Sequence, residues 1–496
     1  MSKALVVGAG VTGLALAHEL QRYAPHVAVT VCERSARVGG WVQSRRSELG
    51  GVIEPGPRSL NRIRGDLTLQ LCAELGLADR IVPTSSTAAT RFIADREGAL
   101  QEIPTSIGAV LRTSWTRTAP LYLLRDAMFP RPLPDDLSVY QFAVDRFGAR
   151  ASDVLASSLV TGIFGGDQRR LSMKACFPNV YEQVAKHRSV LRALLSNRMK
   201  PGQTVFEATQ CDPDLWITMQ KRLGRQAAYS FDDGLSVFVD ALASSVRESI
   251  RTGVSVERIC PESLVADFSD GTTGTFDAIF CTGPTLSVAD AIAGSEPAHQ
   301  HLRDVLKAVT YASLATVSLQ WRTRQSIPHG FGVLLPDYPS SSLPQILGIT
   351  FDSEMFPNQG PLEQTRLTVM IGGARHPELV EEGASEDHLS SIAIDAVKKL
   401  MGVSADPDSV SVHMCRNAIC QMYVGHNALA DEITSVASLL NPHFRIACNA
   451  IGGVSINDCI RTAKREAENF IESLASPHAR VRTQPPTTPF TSATFS

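Results

Sequence analysis

ALVVGAGVTGLALAHEL, residues 4–20, decides how this chain folds. Leu5-Val6-Val7 is a short apolar run suited to a buried parallel strand, expected over Lys3–Gly8, and Val11–Tyr23 carries helical periodicity. Between them stand Gly8, Gly10 and Gly13, spaced GxGxxG. The first glycine permits a tight turn, the second lets a pyrophosphate approach the backbone, and the third allows close helix–strand packing. Ala9, Val11 and Thr12 complete the loop, and the helix N-terminus turns its unpaired N–H groups and positive dipole end toward the phosphates. A second strand, Val27–Glu33, ends in a carboxylate placed to accept bonds from ribose hydroxyls. Strand, helix and acid in register predict a dinucleotide-binding α/β fold.

Outward from that segment, 496 residues exceed what one hydrophobic core usually supports, so two or three domains are expected. The 47 basic and 50 acidic side chains leave a net charge of −3, without the basic excess that gives phosphate affinity, so nucleic acid is not an expected partner. The ten cysteines form no CxxC pair, and Cys415 with Cys420 has no nearby His pair, so no metal site is expected and a reducing compartment is the simple reading. No apolar run reaches transmembrane length. The uncharged stretch Ala4–Ala17 is the glycine motif rather than a signal peptide, and any organelle address is expected to be internal.

Leu67, Leu71 and Leu75 mark a helix that stops at Gly76. From about Ile103 to Gln226, helical segments alternate with Pro-rich turns such as PRPLPDD at 130–136. Leu235, Val239, Leu242, Val246 and Ile250 share one face of a helix closed by Gly253, followed by strands at Val254–Ile259 and Phe276–Cys281. Alternation between Thr310 and Gly373 suggests an antiparallel sheet, followed by a helix at Glu386–Leu400. Phe444–Cys448 reads as a strand, Gly452-Gly453 as a turn and Ser455–Ala475 as a helix, while the Pro-, Thr- and Ser-rich tail reads as disordered. The expected architecture is one α/β nucleotide-binding fold with a helical and a β-rich insertion. Its dinucleotide-binding part takes residues 1–90, 227–300 and 436–475. The β-rich part takes 91–105 and 301–435, the helical part 106–226, and the tail 476–496.

Glu33-Arg34-Ser35-Ala36-Arg37-Val38-Gly39-Gly40-Trp41 looks like the glycine doublet that follows the ribose acid in one FAD superfamily. Glycines there let the chain pass close to the cofactor, and a nearby Arg offsets phosphate charge. Ile451 to Asp458 sets a strand, a glycine turn and a helix start together, an arrangement that brings backbone N–H groups of Val454, Ser455 and Ile456 to the flavin ring end. FAD is the expected cofactor.

With these residues in hand, the chain resembles the protoporphyrinogen oxidases of the mitochondrial type found in fungi and animals. The likeness runs from Lys3 to about Phe470, through ERSARVGGWVQS (33–44), IEPGPRSL (53–60), TGIFGGDQRRLSMKACFP (161–178), HGFGVLLP (329–336), LGITFDS (347–353), VMIGG (369–373) and GGVSINDCI (452–460). The first and last are shared with relatives; GPRSL, GIFGGDxxxLS and the paired GFG and MIGG segments are more specific.

The resemblance implies a six-electron oxidation of protoporphyrinogen IX to protoporphyrin IX through FAD, with dioxygen reduced to hydrogen peroxide. It also implies a homodimeric, monotopic enzyme of the inner mitochondrial membrane, with the helical part on the membrane and the β-rich part holding substrate. Residues 108–129 suit an amphipathic surface element or a solvated helical hairpin equally. Arg91 matches an arginine that pairs with a propionate. Phe331, Gly332 and Leu334 in GFGVLL, with Met370, would form walls against the pyrrole rings. Gly162 matches a glycine whose carbonyl lies near the reacting carbon. In GPRS, Gly56, Pro57 and Ser59 join the cofactor contacts, and Arg58 orients substrate at the flavin edge or holds the cofactor. Hydride transfer to flavin and imine–enamine tautomerisation would alternate over three rounds, with orientation and water exclusion as the protein's share. No general base is assigned. The run ICQMYVGH (419–426) departs from the family's IPQY-like segment, with Cys420 where the family has Pro and one extra residue.

Overall fold

The computed structural model describes residues 2–62, 65–196, 213–338 and 343–475; the tail expected at 476–496 lies outside them. Lys3–Val7 runs through the middle of a five-stranded parallel sheet. Its neighbours are Ala28–Glu33 and Ala278–Cys281, with Ile250–Thr252 and Phe444–Ile446 outermost. Val6 lies opposite Val31 on one side and Phe280 on the other. Leu5 and Val6 are fully buried because helices cover both faces of such a sheet, which is why the strand reads as a continuous apolar run.

Helix Val11–Tyr23 packs along helix Ile456–Ala475, the second contributing Ile460, Ala463, Ala467 and Phe470 at helical spacing. The Phe470 ring meets Phe280 edge-on, with centroids 5.7 Å apart. Asn457 ties the C-terminal helix to the helix Asp66–Glu74, its Oδ1 accepting from the Thr68 N–H (3.1 Å) and hydroxyl (3.2 Å).

One expectation fails. The helix read through Ile250 ends at Ser245, a short 3₁₀ turn follows at Arg247–Ser249, and Ile250–Thr252 is the outer parallel strand, paired with Val31–Glu33. The hydroxyls of Ser244 and Ser245 bond back to the carbonyls of Asp240 and Leu242, both at 2.7 Å. Val246 and Ile250 pack against one core, so both keep the burial that helical spacing predicted although the chain has changed conformation. The strand expected at Val254–Ile259 is Val256–Cys260, in a three-stranded antiparallel meander outside the parallel sheet.

The second sheet has seven strands in the order Ser409–Cys420, Tyr311–Trp321, Thr365–Gly372, Ile346–Thr350, Gly332–Leu334, Phe92–Ala94, Leu100–Glu102. It is antiparallel as expected, except that Gly332–Leu334 and Phe92–Ala94 pair in parallel. Helix Glu386–Met401 covers one face with Leu389, Ala393, Val397 and Leu400, begun by the Ser385 cap and ended by left-handed Gly402.

Between residues 107 and 195 the chain is helical. Asp126 holds this region together: its carboxylate is paired with the Arg146 guanidinium and accepts from the Val190 N–H at 2.8 Å, both side chains buried. Among the described residues no helix is long and apolar enough to cross a membrane.

Candidate active site

The Gly8–Gly13 loop folds as its glycines require. Gly8 takes φ +104°, and a Cβ on Gly13 would stand 2.0 Å from the Gly8 carbonyl oxygen. A Cβ on Gly10 would meet no atom within 4 Å, so this is where a ligand has room to approach. Gly10 caps the helix Val11–Tyr23 with no side-chain hydrogen bond, and the first turn holds no acid. A capless helix start beside open space is what a diphosphate fits. The Glu33 carboxylate accepts from the N–H groups of Ala9 and Ser35, each at 2.9 Å, leaving lone pairs on both oxygens for hydroxyl donors.

The glycine doublet closes on the same loop. Gly39 N–H donates to the Ala9 carbonyl (2.7 Å), and a Cβ on Gly40 would lie 3.3 Å from the Gly10 Cα. Arg37 braces the turn by donating to the carbonyls of Val38 (3.1 Å) and Gly40 (2.7 Å), while Arg34 is exposed. Trp41 is partly exposed, and its carbonyl oxygen lies only 2.0 Å from where a Gly56 Cβ would stand, so the 39–41 and 56–59 segments run side by side. At the far end of the chain, Ser455 and Asp458 form a capping pair: the Ser455 hydroxyl donates to the Asp458 carboxylate (2.6 Å) and accepts from the Asp458 N–H (3.1 Å). The pair engages one of the three N–H groups expected at the flavin ring end, since the Ser455 N–H also points to Asp458 (3.3 Å).

Arg58 sits at the seam between this loop and the seven-stranded sheet. It donates to the Glu54 carbonyl (3.0 Å), and its Nε, buried without a hydrogen-bond partner, lies 3.5 Å from an Asp352 oxygen. Asp352 accepts from the hydroxyls of Thr350 (2.7 Å) and Thr368 (2.5 Å), which fix it on the sheet. Beside Arg58, Glu54 is 7% exposed, and burial pushes its carboxyl up to about 7. Open space at Gly10 and the uncapped helix beside it fit a bound FAD.

The expected substrate residues fall into two groupings. A Cβ on Gly162 would meet the Leu334 side chain at 2.8 Å, and one on Gly348 would meet Leu334 at 3.2 Å and Met370 at 3.4 Å. Gly162, Leu334 and Met370 therefore meet around Gly348, which sequence reasoning passed over. Arg91 and Phe331 form the second grouping, with the guanidinium 5.0 Å from the ring centroid. Phe331 also packs with Ala88, Met355 and Phe356. Gly332 joins the two: φ is +153°, and a Cβ would stand 2.3 Å from the Ile349 carbonyl oxygen. Glu54 and Asp352 were inside quoted motifs, but Glu54 is held by Leu235, 181 residues on, and Asp352 faces Arg58, 294 residues back (352 minus 58), and no local spacing announces such pairings.

The family profile described as flavin containing amine oxidoreductase matches residues 11–471. The chain is similar to the protoporphyrinogen oxidase of Bos taurus, 32% identical over 485 residues that cover 94% of this chain and 98% of that one. It is also similar to the mitochondrial protoporphyrinogen oxidase of Nicotiana tabacum, 27% identical with 95% of each chain covered. Among solved structures, a protein of Exiguobacterium sp. 255-15 provisionally named a protoporphyrinogen oxidase superposes with a TM-score of 0.77 at 22% identity, covering 95% of this chain and 98% of that one.

Proposed function

Because this chain belongs to the flavin-containing amine oxidoreductases and, among them, to the protoporphyrinogen oxidases, we propose that it oxidises protoporphyrinogen IX to protoporphyrin IX with dioxygen as acceptor. It is an oxidoreductase and FAD is its cofactor. Six hydrogens leave the macrocycle over three rounds, and three molecules of dioxygen become three of hydrogen peroxide. Bound FAD supplies the hydride acceptor and its reoxidation.

The protein's own residues then have defined tasks. Arg91 holds a propionate while its guanidinium lies over the Phe331 ring. Leu334 and Met370 press the pyrrole rings flat and exclude water. Gly162, near the end of the helix Ala149–Phe164, has no side chain to crowd Leu334 and so lets the substrate come close to its backbone. Arg58 orients the substrate edge at the flavin. In this reading 1–90, 227–300 and 436–475 hold the cofactor, 91–105 and 301–435 the substrate, and 106–226 a membrane surface. The observation that carries the reading is the Pro55 tether. Its carbonyl, just before the GPRS segment, accepts from the Thr316 hydroxyl (3.0 Å) on the seven-stranded sheet, which supports a substrate on that sheet lying beside the expected cofactor contacts.

Placement on the inner mitochondrial membrane as a homodimer belongs to the same proposal. Its membrane contact is supported by exposed Leu111, Leu121, Leu124, Met128 and Phe129 beside Arg112 and Arg125.

The test is anaerobic reduction of the purified flavoprotein by protoporphyrinogen IX, followed by air. Flavin bleaching, then reoxidation with porphyrin fluorescence and peroxide above the spontaneous rate, is expected. A flavin that stays oxidised would point instead to an FAD oxidase of another apolar or amine substrate.

A further inference from the structure

Glu54 is a buried carboxyl that the reaction above does not use, one residue from the tether and four from Arg58. Its oxygens accept from the Ser44 hydroxyl (2.9 Å) and the Leu235 N–H (2.7 Å). Ser44 is itself fixed by a reciprocal pair: its N–H donates to the Ser236 hydroxyl (2.6 Å), and the Ser236 N–H donates to the Ser44 hydroxyl oxygen (2.9 Å). The fit around the carboxyl leaves no slack, because a Cβ on Gly234 would lie 2.4 Å from Ser44 Oγ and 2.5 Å from Glu54 Oε1. The Glu54 backbone carbonyl receives Arg58, and the next carbonyl, of Pro55, is held by Thr316 and by the Cys415 thiol (3.6 Å). An isolated carboxyl in an apolar loop is costly, and burial has lifted this one toward its neutral form. An apolar side chain would have filled the space without that cost but could not have gripped Ser44 and Leu235 together.

We propose that Glu54 is the positioning residue of the active site: clamped by Ser44 and Leu235, it sets the turn from which Arg58 reaches the flavin edge and Asp352, and touches neither flavin nor substrate itself. The proposal rests on the reading of Arg58 as a flavin-edge residue.

FAD-loaded E54A, E54Q, S44A, R58A and E54A/R58A are compared with the parent for kcat and KM with protoporphyrinogen IX, flavin content and flavin absorption spectrum. E54A is expected to keep its FAD, lose about tenfold in kcat and change KM by less than about threefold. E54Q recovers most of that loss, because an amide accepts from Leu235 and reaches Ser44 as the neutral carboxyl does. The double variant is no slower than R58A within about threefold, since one path is cut twice. S44A keeps the carboxyl but loosens its clamp; it is expected to lose about threefold in kcat, and it carries the test if E54A does not fold. Parental kcat in S44A or in E54A overturns the proposal, as does loss of FAD from E54A or a double variant in which the two losses multiply. R58A with parental constants removes the reading of Arg58 and the proposal with it. R58A impaired beside a healthy S44A removes the proposal alone.

Discussion

Gly332 combines a backbone angle that favours glycine with a cross-strand carbonyl oxygen where a methyl group would go. Gly332→Ala is therefore expected to cost on the order of 3 kcal/mol, read as a fall of several degrees in the melting temperature of the FAD-loaded protein. An unchanged melting curve would mean that the Gly332–Leu334 strand pairs more loosely with Ile346–Thr350 than described. Glu54 makes a prediction with a sign. Its folded pKa of about 7 lies above the ordinary 4.5, so the folded chain holds the proton more tightly than the unfolded one. The stability this gives is complete below the ordinary value and is lost as pH rises through 7. Glu54→Gln keeps the neutral shape and should gain on the parent between pH 5 and pH 8, by on the order of 3 kcal/mol, in urea midpoints at the two pH values. The GxGxxG glycines and Glu33 were legible in the sequence because their spacing is local. Glu54, Asp352 and Gly348 were not, because what singles them out is a neighbour far along the chain or on another strand.

Helices and strands follow the same rule. Val11–Tyr23 has the boundaries that periodicity predicts, since a glycine loop starts it and a core face sustains it. The segment after Ser245 shows where periodicity misleads: Val246 and Ile250 are spaced like one helical face, and either a helix or a turn into a strand buries both. Only the open edge of the parallel sheet, beside Val31–Glu33, decides in favour of the strand. In the helical region the Asp126–Arg146 pair could not be foreseen, because twenty residues and a Pro-rich turn separate the partners. Asp126→Ala strands a buried guanidinium and frees the Val190 N–H. It should destabilise this region by about 3–5 kcal/mol, seen as early proteolytic cleavage between 107 and 195. A protease pattern identical to the parent's would show that the helices hold without the pair.

Across the molecule, two sheets and a helical insertion were readable from the alternation of texture along the chain. The parallel pairing of Gly332–Leu334 with Phe92–Ala94 was not, since short strands of mixed direction leave no distinctive period. The exposed apolar side chains collect in the helical region, Leu121 at 68% and Phe129 at 65% exposure. The protein should float with vesicles of phosphatidylcholine and cardiolipin, and L121D/F129D should stay with the soluble fraction; equal flotation of both would move the membrane contact elsewhere. The parallel sheet has a further consequence, for synthesis. Its central strand is complete at Val7, yet an outer strand waits for Phe444, and the helix that packs on Val11–Tyr23 for Ile456. At ~5–20 residues per second, roughly 20–90 s separate the first strand from the last. Throughout that interval on the ribosome the glycine loop has no finished cradle, and the nascent chain shows unpaired strand edges to its surroundings. A flavin that needs the whole sheet beneath the glycine loop therefore binds late, after Phe444–Ile446 has joined the strands made first.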